Sequence, residues 1–281
     1  MTYTCFDLEI EHKVAHLRMK RPLELNTMTR AFYRELPEAV RALDAEAKAR
    51  VIVLSSTGKH FTAGMDLSVF AGEGFVPPAS AEVGRVRETL RRTVLELQDS
   101  FSALEHARMP VLAAIQGGCV GGGVDLISAC DARYCSKDAF FVIQEINVGM
   151  VADLGTLQRL PRLMPAGMVR ELAYTGRRLP AARARELGLV NEVWDDHAAL
   201  IAGVMQIAAE IAERSPLAVY GSKEALNYSR DHSVADGLNQ IATWQTGMFQ
   251  GADMMECFGA KAEKRAPVFE DLLPLKSFSS V

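Results

Sequence analysis

The chain has 281 residues, 49% of them apolar and 23% charged, with 31 basic against 35 acidic side chains and a net charge of −4. This is ordinary globular composition with enough apolar residues for a sizeable core, and it speaks against a general electrostatic affinity for nucleic acid or anionic membrane. Five cysteines, Cys5, Cys119, Cys130, Cys135 and Cys257, form no CxxC pair, so they read as buried reduced thiols rather than a disulfide framework or a zinc site.

Phe6, Leu8 and Ile10 alternate with polar neighbours, the pattern of a half-buried strand, and Val14 to Met19 reads as its partner. A helix is predicted from Thr27 through Leu43, with Phe32, Leu36, Val40 and Leu43 at three- and four-residue steps. Val51–Leu54 is a short apolar run of the buried-strand type. Residues 73–80 form a loop by composition, and a long helical pattern runs from Ala81 to Glu105. Pro110 closes that region, and Val111–Ile115 is a second buried strand. From Asp196 onward the patterns are helical: His197–Arg214, Ser222–Ser229 and Val234–Gln250. Strands alternating with helices predict an α/β body over residues 1–195, followed by a helical region over 196–281. The opening residues lack the charged and apolar regions of a secretory signal, and Ser279-Ser280-Val281 is not a peroxisomal address. No apolar run reaches membrane-spanning length, so the expected location is cytoplasmic.

Two glycine-bearing turns follow the two buried strands. One is Phe61-Thr62-Ala63-Gly64-Met65-Asp66-Leu67; the other runs from Gln116 to Asp125 and contains Gly121-Gly122-Gly123. Backbone N–H groups at a helix start lack an intrahelical partner and attract negative charge. No GKS or GKT follows, which excludes a P-loop. A nucleotide loop, a tight turn of purely structural use and an oxyanion site all remain compatible with the pattern. Asp125, Glu145 and Asp153 then lie in a mainly apolar stretch. Carboxylates in such surroundings are costly when ionised, and their raised pKa values suit proton transfer near neutral pH. Taken singly, each also fits a helix cap or a buried hydrogen bond. No His/Cys/Asp cluster suggests a metal, and His60 and His106 read as structural or surface groups.

Several segments together resemble the crotonase (enoyl-CoA hydratase/isomerase) superfamily. They are Arg21-Pro22 with Asn26-Thr27-Met28, Phe61 to Leu67, Ile115-Gln116-Gly117 through Gly122-Gly123, Leu157 to Pro161, Tyr174-Thr175-Gly176, Glu186 to Val190, and Lys264 to Phe269. Within it, the resemblance is greatest to the Δ3,5-Δ2,4-dienoyl-CoA isomerases, through the run from Gly121 to Phe141, the Asp153-Leu154-Gly155-Thr156 turn, and Ser222-Lys223 with Tyr228 to Val234. Ordinary hydratases carry a glutamate where this chain has Asp125, and a small residue where it has Asp153. Gln144 and Asn147 stand where the best-known isomerases carry charged residues, Val151 replaces a smaller one, and residues 73–80 have no distinct match.

The resemblance implies a spiral of ββα units followed by helices that assemble a trimer or a dimer of trimers. It implies the amides of Met65 and Gly122 as an oxyanion hole, Glu145 and Asp153 as an acid/base pair, and Asp125 as a third polar member of the site. The segment Ala63-Gly64-Met65-Asp66-Leu67 is expected to line the coenzyme A path, and Arg21 and Lys59 are candidates for its 3′-phosphate. No cofactor is expected, coenzyme A being part of the substrate. The implied reaction moves the double bonds of a 3,5-dienoyl thioester into 2,4 conjugation. Charge released by a base at C2 spreads to C6, too far for one carboxylate to serve both ends. Hydration of an enoyl-CoA is the alternative reaction, and acyl-CoA binding without turnover the alternative of another class.

Overall fold

His12 and Lys13, both with positive φ (47° and 66°), turn the first strand straight back into the second. In the computed structural model, which describes residues 2–71, 82–249 and 251–276, β1 (Phe6–Glu11) pairs antiparallel with β2 (Val14–Met19). The remaining strands of the main sheet run parallel to β2, in the order β1-β2-β3-β4-β6-β9. They are β3 (Val51–Ser56), β4 (Val111–Ile115), β6 (Ala132–Ser136) and β9 (Glu192–Trp194). A second, small sheet joins β5 (Gly118–Val120), β7 (Phe140–Val142) and β8 (Leu179–Pro180). The architecture is α/β, as expected.

All six residues of β3 are buried, because parallel strands are covered on both faces. Ile52 and Leu54 point into the larger core, with Phe32, Leu36, Phe101 and Leu104 of α1 (Arg30–Glu46) and α3 (Val83–His106). Val51 and Val53 point the other way, to Leu200, Val204, Ala208 and Ala212 of α8 (His197–Ala212). The last strand ends at Trp194, and packing continues past it, since α8 covers the sheet's second face. Burying a Leu or Val side chain fully is worth roughly 1.5–3 kcal/mol, so the stripe at Leu200 and Val204 anchors that helix.

Between these, α2 (Leu67–Ala71), α4 (Gly122–Ser128), α5 (Thr156–Leu163), α6 (Ala166–Thr175) and α7 (Ala181–Glu186) connect the strands. Beyond α8 come α9 (Pro216–Asp231), α10 (Val234–Met248) and α11 (Gly251–Glu263). The α9 helix is tied to the body by Lys223, whose buried ammonium donates to the carbonyls of Leu104 and Met109 and to Asp131 Oδ2 at 2.9–3.0 Å.

Three helix starts differ from the sequence reading. α1 begins at Arg30, not Thr27, because Met28 pairs with Met65 as an isolated bridge, leaving Thr29 to cap the helix. α9 begins at Pro216, six residues before the predicted start, because the Ser215 hydroxyl accepts from Ala218 N and Pro216 fits the first helical position. α3 begins at Val83 behind Glu82, whose carboxylate accepts from the amides of Gly84 and Arg85. The expected loop at 73–80, the start of that helix at Ala81, the end of α10 at Gln250 and the Ser279–Val281 terminus lie outside the described residues.

Candidate active site

The two glycine turns lie side by side. After β3 the chain runs parallel to β5: Phe61 N donates to Gln116 O (2.8 Å), Thr62 N to Gly118 O (3.0 Å), and Val120 N to Thr62 O (3.2 Å). His60 belongs to this seam, its Nδ1 accepting from Gly118 N at 2.9 Å, the structural role expected of it. Gly64 has φ +94°, and a Cβ there would lie 2.9 Å from Val120 O and 3.8 Å from Gly122 N. Only glycine allows both this backbone conformation and this approach. Among the described residues neither the Met65 amide nor the Gly122 amide has a hydrogen-bonding partner.

A cavity of about 520 Å³ opens beside these turns. Ala63, Gly64, Met65, Asp66, Leu67, Gly122, Asp125, Glu145 and Asp153, all singled out from the sequence, line it, whereas Arg21 and Lys59 do not. Most of the remaining wall is apolar, from Val94, Leu97, Val148, Met150 and Leu154.

The three carboxylates reach the cavity from different elements. Asp125 sits on α4, 1% exposed, and its Oδ1 accepts from Thr156 N at 2.7 Å. Burial outweighs that hydrogen bond and pushes its pKa up to about 6. Glu145 opens a short 3-10 turn, Glu145–Val148, that follows β7. Burial, then the nearby Asp125, raise it to about 7, and its buried Oε2 has no partner among the described residues. Asp153 is half-buried, and burial raises its pKa too. Its backbone carbonyl accepts from Gln98 Nε2 at 2.7 Å. Asp66 behaves oppositely: hydrogen bonds from Ser68 and Thr27 hold its pKa below the usual range, so it stays ionised and braces the turn.

Other residues contribute without having been anticipated. Tyr33 on α1 lies beneath Gly122, where an added Cβ would be 3.5 Å from its hydroxyl. Burial, followed by the fields of Asp125, Glu145 and Asp153, raises its pKa and keeps it neutral. Gln98 and Arg159 hold the Asp153 turn. These are ordinary helix-surface residues in the sequence, and only Arg159 carried a hint, within the Leu157–Pro161 motif. Of the departures, Gln144 lines the cavity, Asn147 donates to Gly176 O and Gln144 Oε1 to hold the 3-10 turn, and Val151 faces outward, 71% exposed. Arg21 donates to Thr27 O, and Lys59 is exposed. No group of three or more metal-ligating side chains occurs among the described residues, and none of their helices is long and apolar enough to cross a membrane.

Residues 9–272 match the family model described as enoyl-CoA hydratase/isomerase. This chain belongs to that family. Among relatives of the enoyl-CoA hydratase/isomerase family, the peroxisomal Δ(3,5)-Δ(2,4)-dienoyl-CoA isomerase of Arabidopsis thaliana is 44% identical over 262 residues, 93% of this chain and 94% of that protein. The mitochondrial protein of the same name from Rattus norvegicus is 44% identical over 253 residues, 90% of this chain and 77% of that one. Among solved structures, enoyl-CoA hydratase from Bacillus anthracis superposes with TM-score 0.83 at 31% identity, covering 95% of this chain and 99% of that one.

Proposed function

We propose that this enzyme isomerises 3,5-dienoyl-CoA to 2,4-dienoyl-CoA by a 1,5-proton shift. The observation that carries the reading is the clustering of Asp125, Glu145 and Asp153, all with raised pKa values, around one cavity beside two unpartnered amides. The 44% identity to proteins named for this reaction supports it.

In this reading the thioester oxygen accepts from the amides of Met65 and Gly122. Each such donor is worth about 3 kcal/mol as negative charge develops on that oxygen. Asp153 removes a proton from C2. Charge then spreads through the conjugated chain, and Glu145, protonated near neutral pH, delivers a proton to C6. Two carboxylates serve two carbons that one could not reach. Asp125, fixed on Thr156 N, keeps the Asp153 turn against the cavity and adds a field that favours protonated Glu145.

The test is spectrophotometric. Purified protein mixed with 3,5-dienoyl-CoA thioesters of several lengths is expected to produce the absorbance of the conjugated 2,4-dienoyl thioester. Hydration of crotonyl-CoA with no dienoyl conversion would replace this reading by the hydratase one, and tight binding without either reaction by the non-catalytic one. Assembly through the C-terminal helices into a trimer or a dimer of trimers belongs to the same proposal, as does a cytoplasmic location. Sedimentation of the purified protein and imaging in the source cell test these.

A further inference from the structure

We propose that Arg159, locked onto Glu105, is a positioning residue that sets where the Asp153 carboxylate points; the proposal rests on Asp153 being the base. The turn from Asp153 to Thr156 is a thin wall. On one side lies the site cavity, and on the other a second cavity of about 400 Å³, with Leu154 lining both. Leu154 is packed into the core, 4% exposed, and the backbone carbonyls of Asp153 and Leu154 on either side of that anchor are held by side-chain hydrogen bonds.

Three side chains supply them. Gln98 of α3 donates to the Asp153 carbonyl (2.7 Å), Arg159 of α5 donates through Nη1 to the Leu154 carbonyl (3.3 Å), and Asp125 of α4 accepts from Thr156 N (2.7 Å). Arg159 lies flat on the turn. Gly155 has φ +132°, and a Cβ there would come within 1.8 Å of Arg159 Nη1. The guanidinium is aimed by Glu105: Nε and Nη2 donate to Oε2 at 2.9 and 2.5 Å, with Ser102 Oγ accepting from Nη2 at 3.1 Å. Both side chains of the pair are 13% exposed. The second oxygen of Glu105 accepts from Arg230 of α9 at 2.5 Å. Burial would raise the Glu105 pKa, but Arg159 and then Arg230 outweigh it and keep the carboxylate charged. The clamp therefore runs from α9, in the C-terminal helices, to the residue before the catalytic turn's glycine.

An ion pair of like burial provides the control. Arg108 and Asp44 are 13% and 17% exposed, meet at 2.9 Å, and touch no residue of the site. Steady-state kinetics with a 3,5-dienoyl-CoA, together with thermal unfolding, would compare Arg159→Met with Arg108→Met. Arg159→Met is expected to lower kcat on the order of 10²-fold, the cost of about 1 Å of misplacement, with KM changed by less than about threefold. Arg159→Lys, which keeps the charge but loses the forked contact, is expected to fall between it and wild type. Arg108→Met is expected to lower the melting temperature and leave kcat alone. If Arg159→Met fails to fold, Glu105→Gln carries the same criterion. The proposal is overturned if the Arg159 and Glu105 variants behave like Arg108→Met, losing stability at constant kcat. If wild type itself does not convert dienoyl-CoA, the isomerase reading fails separately. The clamp is then judged by the crystal structure of Arg159→Met, where a displaced Asp153 carboxylate supports it and an unmoved one overturns it.

Discussion

Glu35 on α1 and Asp125 on α4 are both buried, 4% and 1% exposed, yet their carboxyl groups are pushed in opposite directions. Glu35 accepts from Thr4 N, Thr4 Oγ1 and Cys5 N at 2.6–3.1 Å. Burial raises its pKa, but those hydrogen bonds outweigh the rise and leave it below the usual range. Asp125 accepts chiefly from one amide, and Glu145 keeps an oxygen with no partner among the described residues, so both are raised, to about 6 and about 7. Burial alone therefore does not mark a proton-transfer group. The mark is burial that the protein has left under-compensated, beside a cavity.

The sharpest way to break this contrast is substitution. Asp153→Asn and Glu145→Gln are each expected to lower kcat by about 10²–10⁴-fold, while calorimetric affinity for a saturated acyl-CoA stays near wild type. Glu35→Gln should leave kcat untouched. A Glu145→Gln enzyme with wild-type kcat would remove that residue from the mechanism. Next in size is the pH profile. With Glu145 required in its protonated form, kcat/KM should fall above pH 7, approaching tenfold per pH unit. At lower pH it should fall again as Asp153, itself raised by burial, becomes protonated, and a profile that stays flat from pH 7 to 9 would contradict the Glu145 assignment.

Stability provides the smaller effects, with opposite signs in the two regions. The depressed Glu35 stabilises the fold above its unfolded pKa and loses that contribution as pH falls through its folded one. Glu35→Gln should thus cost about 1.5–3 kcal/mol at pH 7 in urea unfolding, and progressively less as pH falls below the unfolded carboxylate pKa and through the lowered folded one. The raised Glu145 retains its proton longer when folded, so wild type loses stability as pH rises from its unfolded value towards about 7. Glu145→Gln should therefore gain a few degrees of melting temperature, roughly, relative to wild type between pH 5 and pH 8. A gain in the reverse direction would mean that Glu145 is better solvated than its geometry indicates.

The long periodic elements were legible in the sequence. β1, β2, α1 and α3 announce themselves because a half-buried strand or amphipathic helix repeats its apolar face several times, and β3 and β4 because a strand covered on both faces is a short unbroken apolar run. The small sheet was not, since β5, β7 and β8 have two or three residues each, too few to show a period. The cavity-lining residues around Gly64, Gly122 and the three carboxylates were readable because glycine turns and carboxylates in apolar runs carry chemistry in their residue type. Gln98, Glu105 and Tyr33 were not. Each sits on a long helix whose local pattern explains it adequately, and only the approach of α5 and the glycine turns in space gives it a second role.

The unpartnered Oε2 of Glu145 has a thermodynamic corollary. A polar atom shut away from water with nothing to bond makes the resting protein the less comfortable state, and an occupant that satisfies it repays the deficit. Loading with an unreactive acyl thioester should accordingly raise the melting temperature with ligand concentration, following the usual mass-action dependence. The rise should persist in Asp153→Asn, whose affinity stays near wild type, which makes thermal shift a gauge of occupancy that needs no turnover.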